Sequence, residues 1–165
     1  MHAPPDRVFA ADEILLVLAE HGVDFVVIGG IAVQTHGYLR GTHDVDVIVR
    51  PTALNLSRLS EALAELQAEV RGGGTLKLND PHQLRRAPLI PVVTRSGPLD
   101  IVHIDHVAGG PGDYDRLRQD ALSVELGGRD LAVVGLSDLI RMKRAAGRDQ
   151  DLADIEVLTR DPEST

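Results

Sequence analysis

From Phe25 to Arg50 the chain reads FVVIGGIAVQTHGYLRGTHDVDVIVR. Asp44 and Asp46 stand one residue apart in an otherwise β-branched run. On a strand they project from one face, roughly 6.5 Å apart along the chain, while Val45, Val47 and Val49 turn to the core. Two carboxylates on one face suit one or two hard divalent cations, Mg²⁺ first and Mn²⁺ as an alternative. Upstream, Gly29-Gly30 closes the apolar run 25–28. Without Cβ atoms, backbone N–H groups there can approach an anion, and the N-terminus of a following helix favours negative charge. Arg40, Gly41 and Thr42 come just before the acids. Each feature has an ordinary meaning alone: Asp-x-Asp is commonly the wet face of an amphipathic strand, and Gly-Gly a tight turn. Their order suggests a phosphate cradle facing a divalent-cation site.

Two more places carry chemistry. Residues 90–94 and 99–104 are strand-like and joined by Arg95-Ser96-Gly97-Pro98, which reads as a hairpin. Asp100 opens the second arm. It either simply starts a strand after a turn or, if that arm lies beside the Asp44-Asp46 strand, completes a carboxylate trio. From Leu136 to Gly147 the spacing of Leu136, Leu139 and Ile140 predicts a helix with Gly147 past its end. Lys143 falls on its apolar stripe. That position suits a snorkelling side chain or an ammonium reaching bound phosphates. Arg144 and Arg148 flank it, as surface charges or as helpers. Asp149, Asp151 and Asp154 open a last helix whose apolar stripe is Leu152, Ile155 and Leu158. Capping and the helix dipole account for acids in a first turn.

The elements that must position these groups alternate in type. Residues 10–21 predict a helix stopped by Gly22. Strands follow at 25–28 and 45–49, with at most one short helix between them. Leu56, Leu59, Leu63, Leu66 and Val70 mark an amphipathic helix broken by residues 71–74. Residues 79–88 read as a loop near the mouth of the site, and 121–126 with 130–134 as a later hairpin around Gly127-Gly128. The fold class is α+β, with a mixed or antiparallel central sheet and helices mainly on one face. One domain is expected over 1–165, its catalytic core at about 23–135 and its C-terminal helices at about 136–160.

Gly29-Gly30, the run Arg40-Gly41-Thr42-His43-Asp44-Val45-Asp46, Asp100 after its hairpin and LIRMKRAAGRDQDLADI from Leu139 to Ile155 together resemble the nucleotidyltransferase superfamily of the DNA polymerase β type. The nearest likeness is to small bacterial proteins related to abortive-infection type IV toxins. The likeness spans Val23 to Leu158, and its first block is the specific part. It implies that Asp44, Asp46 and Asp100 hold metal and act in catalysis. Gly29, Gly30, Arg40, Thr42, Lys143 and Arg148 would bind the nucleoside triphosphate, with Lys143 also in the catalytic set. Asp154 would orient Lys143 or Arg148. Many relatives have Gly-Ser where this chain has Gly29-Gly30, so a hydroxyl contact to phosphate is missing. Gln150 stands where a basic residue is common. The implied reaction is Mg²⁺-dependent transfer of a nucleoside monophosphate to a hydroxyl. The acceptor would be a tRNA end or a protein in a toxin neutralised by a cognate antitoxin, or else a small aminoglycoside-like molecule. A noncatalytic nucleotide-binding or partner-binding module is the further alternative.

Composition narrows these choices. The 165 residues are 43% apolar, contain no cysteine and carry a formal charge of −8. That length supports one good core, and thiolate metal sites and disulfides are excluded. No stretch reads as a membrane span, and the cytoplasm is the expected compartment. The acidic balance disfavours long nucleic acids, which require a basic stripe, and suits a cationic acceptor. The aromatics are Phe9, Phe25, Tyr38 and Tyr114, too few for stacking several bases; Tyr38 could cover one base or pack on its neighbours. Histidines offer a rival: His43, His103 and His106 with nearby acids would suit a Zn, Mn or Fe hydrolase, although His103 should face away from Asp100.

Overall fold

The computed structural model describes residues 9–160. Helix α1 (Ala11–Glu20) turns Ile14, Leu15, Val17 and Leu18 inward and stops where Gly22 takes a φ of 72°. Strand β1 (Phe25–Ile28) is buried along its length. Helix α2 (Gly29–Thr35) starts on the first glycine of the pair, and β2 (Val45–Val49) follows.

Helix α3 (Ala53–Glu65) begins at Thr52, whose side chain accepts from the N–H of Asn55. It ends short of the expected Val70. Gln67 enters the left-handed region at φ 53°, and the N–H of Ala68 reaches back to the Leu63 carbonyl at 3.0 Å. Glu69–Val70 forms β3 instead, because Val93 and Val92 give it ladder partners that a longer helix would forfeit. The loop expected over 79–88 contains helix α4 (Pro81–Arg86). Asp80 caps it by accepting from His82 N–H at 3.0 Å, and Pro81 suits the first helical position.

Strands β4 (Leu89–Thr94) and β5 (Gly97–Val102) form the expected hairpin, with Arg95-Ser96 alone as the turn; Gly97 and Pro98 belong to β5. A 3₁₀ turn, Ile104–His106, leads toward α5 (Tyr114–Gln119), a helix that hydrophobic spacing did not announce and that Asp113 caps. Then come the hairpin of β6 (Leu122–Leu126) and β7 (Arg129–Val133), helix α6 (Leu136–Ala146) closed by Gly147 at φ 64°, and α7 (Asp149–Leu158).

The strands make one seven-stranded mixed sheet in the order β3-β4-β5-β2-β1-β7-β6, with β2·β5 and β1·β7 parallel. The α+β reading holds. Burial alternates along β5, where Leu99 and Ile101 are covered while Asp100 and Val102 stay partly open. At the sheet centre Val47 and Ile48, successive residues that face opposite ways, are both fully buried. At the end of β1 and β2 remote from Asp46, Asp24 accepts from Arg50 Nε at 2.6 Å and from the Tyr114 hydroxyl at 2.7 Å. Tyr114 is thus a structural tyrosine with Arg50 over its ring. Among the described residues no helix is long and apolar enough to cross a membrane.

Candidate active site

Register brings the acids together. Asp46 faces Ile28 across β1·β2 and Asp100 across β2·β5, and paired residues on adjacent strands project to the same side of the sheet. One carboxylate oxygen each from Asp44, Asp46 and Asp100 falls within 4.8 Å of the others. Among the described residues no other group of three acidic or histidine side chains is so placed. Burial, then the charges of Asp44 and Asp100, push the Asp46 carboxyl up to about 7 against the opposing pull of Lys143 and Arg148. A hard divalent cation would relieve that crowding, and an all-oxygen donor set fits it.

The glycine pair has a local purpose. At φ 70°, a Cβ on Gly29 would stand against Asp46 Oδ2, and one on Gly30 would come within 2.6 Å of Thr42 Oγ1. Gly29 therefore lets the end of β1 press on the Asp46 carboxylate of β2. Gly30 makes room for Thr42, whose hydroxyl donates to the Asp44 carbonyl at 3.3 Å.

Facing the acids is a cationic wall. Lys143 is only 7% exposed, and its Nζ lies 3.0 Å from Asp154 Oδ2 and 3.2 Å from Asp151 Oδ1. Arg40 grips Asp154 with Nε at 2.8 Å and Nη2 at 2.9 Å, while Arg148 Nε donates to Asp151 Oδ2 at 2.7 Å. Helix α7 thus buries Asp151 and Asp154 (1% and 0% exposed), and Leu152, assigned to its apolar stripe from the sequence, is 54% exposed. Counterions explain the reversal. Burial would raise Asp151 and Asp154, but hydrogen bonds from Arg148 and Lys143 to the first, and from Arg40, Lys143 and Gln150 to the second, hold both below the ordinary carboxylate range. Asp151 also caps its helix by accepting from Arg148 N–H at 3.2 Å, so the capping and orienting readings of these acids coexist. Two carboxylates against three cations leave one positive charge in excess.

A single cavity of about 530 Å³ is lined by all nine residues singled out from the sequence: Asp44, Asp46, Asp100, Gly29, Gly30, Arg40, Thr42, Lys143 and Arg148. Its volume is in the range of ligand sites. Other expected neighbours are elsewhere. Residues 79–88 do not line it, and Tyr38 packs on the core instead. His103 is buried with Nε2 at 2.7 Å from the Leu84 carbonyl; His106 lines the cavity, but none of His43, His103 and His106 joins the group that Asp44, Asp46 and Asp100 form, so the carboxylates alone make the cluster. Arg71 is a residue that sequence reasoning missed: it pairs with Asp100 Oδ1 from the β3 side. Only the pairing of β3 with β4 puts it there, so no local signal marks it.

Known proteins bear on this arrangement. No curated protein matches the sequence. In fold the chain is similar to the antibiotic-resistance factor ANT(2'')-Ia, at 13% identity over 88% of this chain and 78% of that one, TM-score 0.55. The same factor in a crystal complex with adenylyl-2''-tobramycin gives a TM-score of 0.53 at 13% identity, covering 88% and 83%. An antigenic nucleotidyltransferase-like protein from Paracoccidioides brasiliensis has 15% identity over 92% and 77%, TM-score 0.55. At such identities the likeness establishes the nucleotidyltransferase fold alone. The sequence itself goes further than fold: residues 6–159 match the family described as Nucleotidyltransferase of unknown function (DUF6036), and the chain belongs to that family.

Proposed function

We propose that the chain transfers a nucleoside monophosphate from a nucleoside triphosphate to a hydroxyl, with Mg²⁺ or Mn²⁺ held by Asp44, Asp46 and Asp100. The observation that carries this reading is the convergence of those carboxylates within 4.8 Å, in one cavity with Lys143, Arg148 and the glycine pair. Bound there, divalent ions would stabilise charge on the entering and leaving oxygens of an in-line displacement. The chain's own residues do the rest. Lys143 and Arg148, fixed in place by Asp151 and Asp154, balance the triphosphate's charge, and the start of α2 offers backbone N–H groups to it. Arg40 and Thr42 hold the loop that presents Asp44. The acceptor oxygen bonds to the α-phosphorus, the bond to pyrophosphate breaks, and the hydroxyl proton passes to a carboxylate within reach, for which Asp100 is the candidate.

For the acceptor we favour a small, hydroxylated, cationic molecule. The net charge of −8 attracts such a compound, and the fold is shared with a factor crystallised with adenylyl-2''-tobramycin. The toxin reading, with a tRNA end or protein as acceptor and a cognate antitoxin, gains no support from the family match or the fold, and a noncatalytic module is disfavoured by the complete carboxylate trio. The test is incubation with each α-³²P-labelled triphosphate, Mg²⁺ or Mn²⁺, and separate pools of aminoglycosides, tRNA and protein, beside an Asp46→Ala control. Label in the aminoglycoside pool that vanishes in the control supports the proposal. Label in the tRNA or protein pool would move it to the toxin class.

A further inference from the structure

A separate cavity of about 470 Å³ opens at the end of β1 remote from Asp46, and Asp24 lines it. Three arginines reach it from different elements: Arg58 from α3, Arg118 from α5 and Arg129 from the start of β7. They gather on residues 19–24, the short link between α1 and β1. Arg129 Nη1 donates to the Ala19 carbonyl and Arg58 Nη1 to the Gly22 carbonyl, each at 3.5 Å. The Ala19 oxygen also accepts from the Gly22 N–H at 2.9 Å, so these two guanidiniums flank a single turn of backbone. Arg58 lies against that turn, with Cδ, Nε and Cζ 3.7 to 3.9 Å from the point a Cβ on Gly22 would occupy. Arg118 Nε comes to 4.0 Å from Asp24 Oδ1.

These guanidiniums are poorly matched by the chain itself. With 25 acidic residues against 17 lysines and arginines, carboxylates are plentiful, and Arg40, Arg50, Arg71, Arg95 and Arg148 each hold one. Among the described residues no carboxylate pairs with Arg58 or Arg129, whose hydrogen bonds are the two long ones to carbonyls. Arg118 shares its acid, since Asp24 already accepts from Arg50 and from the Tyr114 hydroxyl. Asp24 and Asp130 are the acids lining the cavity. Three arginines against two acids leave one positive charge in excess, and most of the guanidinium N–H groups lack a protein partner.

We propose that this cavity binds a phosphoryl group carrying two or more negative charges, inorganic or at the end of a small organic compound. Planar guanidinium forks meet phosphate oxygens in pairs, and forks from three elements can surround one such group. Val23, Phe25, Leu131 and Ala132, all buried, also line the cavity, and a wall of low dielectric strengthens each charge-assisted bond. The site lies at the opposite end of β1 from the carboxylate trio, so it holds or fails independently of the nucleotidyltransferase reading.

Calorimetric titration of the full chain, stripped of metal over chelating resin and kept at low ionic strength, would compare pyrophosphate, ribose 5-phosphate and, as a dianion without phosphorus, succinate. Arg58→Gln and Arg129→Gln change exposed residues, and circular dichroism checks that each variant is folded. Each should weaken phosphoryl binding about tenfold, and the double variant should abolish it. Arg116→Gln, at an exposed arginine of α5 outside the cavity lining, should hold affinity within about twofold. The tighter of the two phosphoryl compounds distinguishes an inorganic from an organic source. Crystals soaked with tungstate, a phosphate mimic, should give an anomalous peak among Arg58, Arg118 and Arg129. The assignment is overturned by failure of both phosphoryl compounds to bind, by unchanged affinity in the double variant, or by an equal loss in Arg116→Gln. Succinate bound as tightly, or a tungstate peak beside Lys143 alone, overturns it too.

Discussion

Replacing Asp46 by asparagine should stabilise the metal-free protein at alkaline pH. Asp46 ionises near 7 instead of its ordinary 3.8, because burial and the charges of Asp44 and Asp100 penalise its carboxylate. The folded state therefore keeps this proton to higher pH than the unfolded chain does, and stability falls as pH rises from about 4 to about 7. A difference of about three pH units at about 1.36 kcal/mol each bounds the cost of the ionised group near ~4 kcal/mol. Neighbouring carboxylates that readjust reduce it, so the expected gain for Asp46→Asn at pH 8 is about 1–3 kcal/mol, or roughly 3–8 °C in Tm for a chain of this size. Thermal melts in EDTA at pH 8 and pH 4.5 measure it. The gain should vanish at the lower pH, where wild type is protonated too, and added Mg²⁺ should raise the Tm of wild type alone. A variant no more stable than wild type at pH 8 without metal would show that ionised Asp46 carries no such cost.

Other consequences follow from named contacts. Arg71→Met frees Asp100 of its guanidinium; Mn²⁺ affinity, read from the free-ion electron paramagnetic resonance signal, should rise about tenfold, with stability changed by less than about 1 kcal/mol because the pair is partly exposed. Weaker Mn²⁺ binding would contradict it. Lys143→Met leaves Asp151 and Asp154 short of a counterion in a buried place and should cost about 3–5 kcal/mol in urea unfolding; a loss under about 1 kcal/mol would show that Arg40 and Arg148 suffice. Gly29→Ala forces a side chain against Asp46 at a φ of 70° and should cost about 1–3 kcal/mol and weaken Mn²⁺ binding, whereas a neutral result would deny the close approach. Because Asp151 and Asp154 are held below the ordinary carboxylate range, the stability they contribute is present above about pH 4 and lost as pH falls through their lowered values. The urea midpoint of wild type should then peak between this acid loss and the loss from Asp46; a midpoint rising steadily to pH 8 would oppose the Asp46 assignment, and one that does not drop on acidification would oppose that of Asp151 and Asp154.

How far the sequence could be read depended on whether a feature was local. Asp44 and Asp46 announce themselves by strand periodicity, although β2 starts at Val45 and Asp44 sits just before it. For Asp100 the hairpin was legible, but whether its second arm lies beside the Asp44-Asp46 strand stayed open until the β2·β5 pairing placed it opposite Asp46. The errors lie where tertiary partners overrule local pattern. Val70 continues a helical stripe yet belongs to β3, since only β4 offers it a ladder. Leu152 has helical spacing yet faces water, because Lys143, Arg40 and Arg148 make burial of Asp151 and Asp154 the better bargain. The Pro81–Arg86 helix was hidden by its polar composition, although Asp80 before a proline is a capping signal that could have revealed it. Arg71 had no signal, since its meeting with Asp100 depends on strand order alone.

In the proposed function three carboxylates remote in sequence gather a divalent cation opposite Lys143. The most direct measurement is anomalous diffraction at the manganese edge from crystals soaked with Mn²⁺ and α,β-methylene-ATP. A peak is expected within ligand distance of Asp44 and Asp46, with phosphate oxygens between it and Lys143. Density for the nucleotide without a cation beside Asp46, or a cation bound away from all three acids, would contradict it.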